Sequence, residues 1–145
     1  MIVLDKSIAL TASDTMRHFP LRFSVGAQPS YMRIFFAYTP KVFQDREQSI
    51  ALIRECYARY NVPCDNPQSE LPLNNLITIT LDSPKGRVGC AHRHANNAEY
   101  MISNSNSSCG FLRTPIFEGE WEIIVSTHCI LSKEVNVAIR VEVGE

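Results

Sequence analysis

Cysteine pairs are the first thing missing. Cys56, Cys64, Cys90, Cys109 and Cys129 are scattered singly, an odd set without a CxxC unit. Such a set suggests neither a disulfide framework nor a zinc ribbon. Reduced thiols in a cytoplasm are expected, each a small apolar residue rather than a nucleophile. An excess of one charge is also missing: 14 Lys+Arg stand against 15 Asp+Glu for a formal net charge of -1. With no basic run to neutralise a row of phosphates, nucleic acid is not an expected partner. Long hydrophobic runs are absent too, and the opening MIVLDKSIALTASDT carries Asp5 and Lys6 inside its apolar segment. Neither an export signal nor a membrane anchor is expected from it. The sequence has no Walker or dinucleotide glycine loop, no GxSxG elbow, no internal repeat and no low-complexity segment.

What is present is alternation. The 145 residues suit one domain, 1–145, and a chain of that length buries roughly 68–70% of its unfolded surface. Ile2 to Leu10 reads as a strand, and Phe19, Leu21, Phe23 and Val25 mark one face of a second. Met32, Ile34, Phe36 and Tyr38 form a stripe in Tyr31 to Thr39, with Tyr31 and Phe35 adding bulk opposite. That strand is expected to be central and covered on both faces. The period then changes. Over about 45–60, Ile50, Ile53, Cys56, Tyr57 and Tyr60 recur at helical spacing, with Asp45 as N-cap, Gln48 in the capping-box position and Asn61-Val62-Pro63 as the stop. Residues 64–74 contain two prolines and no period, and read as a loop.

Asn75 to Asp82 alternates again, and Ser83-Pro84-Lys85-Gly86 has proline and glycine where a type I turn favours them. Arg87 onward returns as the hairpin partner, and Glu99 to Ser103 is a further short strand. Glu120 to Thr127 and the Val135, Val137, Ile139, Val141, Val143 stripe complete the set. Seven or eight strands with one helix predict a mostly all-β chain, an antiparallel β-sandwich of jelly-roll type with one inserted amphipathic helix.

The sharpest cluster of chemistry is Val88, Cys90, His92 and His94, which share a face if the segment is a regular strand. Two imidazoles so spaced can chelate a divalent metal ion, with Cys90 as a third donor. Gly86, His92, His94 and Glu99 stand in the spacing of the first metal motif of the cupin family, which this stretch resembles. The closing glycine of that motif is replaced by Asn106, and His128 lacks the spacing of the second motif. Arg87 and Arg93 flank the imidazoles and, with His92 and His94, make a candidate ligand- or anion-binding patch. A sugar platform at Trp121 or at Tyr57 and Tyr60 is a further option, though Trp121 begins an alternating strand and is expected inside.

The same residues carry a broader likeness. Asn75 to Leu81, Asp82-Ser83-Pro84-Lys85-Gly86, Tyr100 to Ser103, Cys109-Gly110-Phe111, Pro115-Ile116 and Gly119-Glu120-Trp121-Glu122-Ile123 together resemble the N-terminal β-sandwich domain that precedes PHP-type metallophosphoesterase domains. They are also similar in style to pre-peptidase and carbohydrate-binding sandwich modules. The resemblance implies a non-catalytic accessory module, with Pro84, Gly86, Gly110, Gly119 and Trp121 as scaffold, and it transfers no catalytic residue. The resulting expectation is a binding module for a protein partner or small molecule, with recognition in loops 84–97 and 104–118, no cofactor, and homo-oligomerisation left open. The alternative is a metal-binding protein or metal-dependent enzyme using His92, His94, Glu99 and Cys90.

Overall fold

The period-two stripes become strands in the computed structural model, which describes residues 1–27, 29–91 and 95–145. In chain order the strands are β1 (Ile2–Leu10), β2 (Arg17–Val25), β3 (Tyr31–Thr39), β4 (Val42–Phe43), β5 (Leu73–Asn74), β6 (Leu76–Ser83), β7 (Gly86–Cys90), β8 (Asn97–Ser103), β9 (Gly119–Cys129) and β10 (Val135–Gly144). One α-helix, α1 (Arg46–Arg59), lies between β4 and β5. Among the described residues the strands form a sheet of order β1-β10-β3-β8, a second of order β2-β9-β6-β7, and the small pair β4-β5. Every pairing is antiparallel. The chain is thus mostly β, with three antiparallel sheets and one helix. The β4-β5 pair corrects the reading of 64–74 as loop throughout.

One apolar cluster joins the two large sheets. Met32, Ile34, Phe36 and Tyr38 of β3 and Val137, Ile139, Val141 and Val143 of β10 meet Ile77, Ile79 and Leu81 of β6 and Trp121, Ile123 and Val125 of β9 in that core. Each such side chain contributes about 1.5–3 kcal/mol by leaving water. Trp121 is wholly enclosed, and its indole N–H donates to the Phe117 carbonyl at 2.9 Å, so the buried polar atom is satisfied. Pro20, which lacks a ladder donor, sits in β2 at the edge of its sheet.

A buried asparagine fastens one end of the core. Asn75 Nδ2 donates to the Pro40 carbonyl at 3.0 Å and to Ser132 Oγ at 2.8 Å. Its Oδ1 accepts from the Leu131 and Ser132 amides at 2.7 and 3.2 Å, and its carbonyl accepts from the Tyr38 hydroxyl at 3.2 Å. A side chain read from sequence only as the start of a strand therefore ties three segments together.

Two expectations need correction. α1 starts where predicted, with Asp45 Oδ1 accepting from the Gln48 amide at 2.9 Å, but only Ser49 and Ile53 are fully buried in it. Cys56 is exposed and Tyr60 is 70% exposed, because the helix flanks the sheets rather than covering one. β3 is central, yet its outward residues Tyr31, Arg33, Phe35 and Ala37 are only half-buried. Arginines cover part of them: the Arg33 guanidinium lies 5.3 Å from the Tyr31 ring centre and that of Arg140 lies 4.5 Å from Phe35.

Candidate functional site

The β6-β7 hairpin forms as the turn chemistry predicts. Pro84 and Lys85 make the two-residue tip, and the Ser83 hydroxyl donates to the Gly86 carbonyl and accepts from the Lys85 amide. Gly86 has φ +129, a conformation that favours glycine. Arg87, one of the predicted ligand-binding residues, turns its guanidinium onto the Asp82 carboxylate across the hairpin, with Nε to Oδ1 at 2.5 Å. Past Arg87 the ladder is irregular. Asp82 lies opposite Arg87 and Leu81 opposite Gly89, which leaves Val88 as an extra residue. This bulge breaks the period on which the shared face rested. Val88 enters the core, Cys90 lies opposite outward-facing Thr80, and Ala91 returns to the core.

The bulge exists because another segment crosses there. A Cβ on Gly89 would overlap the Gly110 carbonyl oxygen, and one on Gly110 would overlap that of Cys90. The Cys90 amide donates to Gly110 O at 3.1 Å and the Leu112 amide to Val88 O at 2.9 Å. Phe111 and Ile116 then plug into the core, with the Phe111 and Tyr100 rings 5.1 Å apart. Phe111 and Ile116 of the predicted recognition loop 104–118 are therefore spent on packing, while most of its other residues stay exposed. Glu99, on β8, is 52% exposed and faces Arg33 at 3.8 Å, on the outer side of the other sheet from Cys90. His92, Arg93 and His94 lie outside the described residues. Among the described residues no group of three or more His, Cys, Asp or Glu is placed to hold a metal ion.

The outer face of β2-β9-β6-β7 is polar and internally paired. Arg22, Glu122, Asp82 and Arg87 form one row across its four strands. Arg22 Nε donates to Glu122 Oε2 at 2.9 Å, and the hydrogen bond to that carboxylate raises the guanidinium pKa; the bond that Arg87 donates to Asp82 does the same for Arg87. Farther along, His18 Nδ1 lies 2.8 Å from Ser126 Oγ and His128 Nε2 lies 2.7 Å from Thr78 Oγ1. A hydroxyl beside an imidazole is half of a nucleophile arrangement. Ser126, however, is only 7% exposed, and among the described residues neither imidazole is ion-paired to a carboxylate that would orient it.

The outer face of β1-β10-β3-β8 is built differently. Register places Ser7, Ala138, Ala37 and Asn97 side by side across its four strands. The two central methyl groups leave a depression of about 270 Å³, walled by Ser7, Thr39, Asn97 and Asn136. A second depression of about 230 Å³ shares Ala37, Asn97 and Ala138 with the first and adds Asp5, Phe35 and Arg140. Nothing in the sequence flagged the site, since alanine at an outward strand position carries no signal until register pairs it with another.

The chain matches no protein-family model and no curated protein.

A third surface lies between α1 and the ends of β5 and β9. It is a largely apolar groove of about 330 Å³ whose walls include Ile53, Cys56, Tyr57, Leu73, Cys129 and Leu131. Burial pushes the Cys129 thiol pKa up, so little thiolate forms at neutral pH. The Tyr57 hydroxyl donates to Glu70 Oε1 at 3.0 Å, and that bond raises the phenol pKa. Trp121 is enclosed and so offers no sugar platform, whereas Tyr57 is half-buried and Tyr60 exposed. Among the described residues no helix is long and apolar enough to cross a membrane.

Proposed function

We propose that the chain is a non-catalytic accessory module of the jelly-roll sandwich type, which binds a small ligand on the outer face of β1-β10-β3-β8. The topology supports the fold assignment. The pairs β1·β10, β2·β9, β3·β8 and β6·β7 are nested. All four are direct hydrogen-bonded neighbours, so the strands pair as in one long folded hairpin. Rolling that hairpin up brings β10 beside β3 and β9 beside β6, the two remaining pairings of the large sheets. The likeness to the domain in front of PHP-type metallophosphoesterases agrees with this, since Gly86, Gly110, Gly119 and Trp121 serve turns, a close crossing and the core.

The observation that carries the functional reading is the contrast in hydrogen bonding. On β2-β9-β6-β7 most outward polar groups, Ser24 and Thr80 excepted, bond to each other, whereas the four polar walls of the depression on β1-β10-β3-β8 keep theirs uncommitted. The test is to offer the purified chain phosphomonoesters, phosphodiesters and a peptide library, with and without added zinc or manganese. No turnover is expected. Turnover that a single substitution in 84–97 or 104–118 abolishes would overturn the reading and favour an enzyme.

A further inference from the structure

We infer that the two joined depressions on β1-β10-β3-β8 form a binding site for a neutral glycan, an assignment that rests on the accessory-module reading. The walls of the first depression carry hydroxyl groups at Ser7 and Thr39 and amides at Asn97 and Asn136. None of these four side chains enters a hydrogen bond within the described chain, while neighbouring Asn96 is held in place by its bond to the Tyr38 carbonyl at 3.1 Å. Hydroxyls and carboxamides each both donate and accept, as the hydroxyls of a sugar do.

Charge and polarity exclude the competing ligand classes. Among the described residues no charged residue lines the first depression. In the second, Asp5 and Arg140 have opposite signs, and Arg140 is already engaged by Glu142 at 3.2 Å and by the Phe35 ring. A phosphate or carboxylate would therefore find no free cation among the described lining residues. An acyl chain would cover the amides and hydroxyls without satisfying them, at about 1–3 kcal/mol for each group left unpaired. A pyranose matches on both counts, with hydroxyls for the walls and a C–H face for the floor of Ala37 and Ala138. The Phe35 ring beside the second depression extends the apolar part of that floor. Two adjoining volumes of about 270 and 230 Å³ suit successive units of one chain. Because both are open to solvent, each unit binds weakly and a polymer is the suitable probe.

The full chain is run in native gels containing starch, a β-1,3-glucan, mannan or xylan, with polygalacturonate as the anionic control. Retardation by at least one neutral polymer is expected, with none by polygalacturonate. Ala138→Tyr, which fills the depression, and the double variant Asn97→Ala/Asn136→Ala, which strips its amides, are each expected to weaken retardation at least tenfold. Competition by the free monosaccharide against the matching hexasaccharide distinguishes a chain end from a chain interior as the bound element. Circular dichroism confirms folding, and if Ala138→Tyr fails to fold the double variant alone decides. The inference is overturned if no neutral polymer retards the chain, if polygalacturonate alone does, or if the folded variants are retarded like the parent. Hydrolysis assays on the same preparation separate the two conclusions. Turnover defeats the accessory-module reading, whereas absent retardation without turnover defeats the glycan assignment alone.

Discussion

The two outer faces are made from the same alternation and end in opposite states. On β2-β9-β6-β7 the outward positions hold Arg22, Glu122, Asp82 and Arg87 in one row and His18, Ser126 and Thr78 in another, and nearly every polar group finds a partner on the neighbouring strand. On β1-β10-β3-β8 the central outward positions are Ala37 and Ala138, too short to reach across, and the polar groups around them point at a space. Cross-strand pairs stabilise a sheet by a few tenths of a kcal/mol to about 1 kcal/mol each. Omitting them at the centre of one face forgoes that contribution where the other face takes it. A sheet that gives up pairing at one spot is the natural place to look for a ligand.

The comparison holds only if both faces rest on the same rigid core, and the largest expected effect tests that footing. Trp121→Ala removes the biggest enclosed side chain and leaves the Phe117 carbonyl without its donor, so a loss of about 3–5 kcal/mol is expected. A fall in the urea midpoint at unchanged slope measures it. The next test puts the same residue on each face. Ser126→Tyr forces a ring into a position that is 7% exposed and breaks the bond to His18, at an expected cost of about 1–3 kcal/mol. Ala138→Tyr, on the open face, is expected to change stability by no more than about 0.5 kcal/mol. Equal costs for the two substitutions would erase the distinction between a sealed and an open face. Between these in size is Tyr38→Phe, which removes the hydroxyl bond to the Asn75 carbonyl from the core side and should cost about 1 kcal/mol, with no effect on either outer surface.

How much of this was legible in the sequence depends on whether the signal was local. The stripes of β3, β9 and β10 are local, and each inward residue they named is enclosed. So is the Pro84-Lys85 turn. The Gly89 bulge is not local: it exists because the carbonyl of Gly110 passes where a side chain would stand, and that crossing is decided by a segment some twenty residues on. The shared face assigned to Val88 and Cys90 failed for this reason. The hub at Asn75 and the docking of Phe111 and Ile116 escaped notice likewise, because an isolated polar or apolar residue beside a loop says nothing about its distant partners. The depression is the extreme case, since its floor is two alanines more than a hundred residues apart in the chain. Arg87, which sequence offered as a ligand contact, turns instead to Asp82 at the hairpin, a pairing that adjacent strands make available to any such charge.

The smallest expected effect measures how well the margin of the sealed sheet is closed. Cys129 ends β9 and lines the groove beneath α1, where burial holds its thiol in the neutral form. Exposed Cys56 and Cys109 should therefore alkylate with iodoacetamide faster than Cys129, which mass spectrometry of the partly labelled chain resolves. The same burial fixes a sign for stability. In the unfolded chain the thiol ionises near its ordinary value of about 8.5, while in the folded chain it does so only at higher pH. The unfolded state thus loses its proton first, and the contribution of Cys129 is complete below that ordinary value and declines as pH rises through the window between the two. Tyr38, whose phenol pKa is also raised by burial, adds a decline of the same sign at still higher pH. Cys129→Ala should flatten only the lower part of the curve of unfolding midpoint against pH. An unchanged curve together with rapid labelling at Cys129 would mean that water reaches the end of β9, and that the sealed face is closed at its centre but not at its edge.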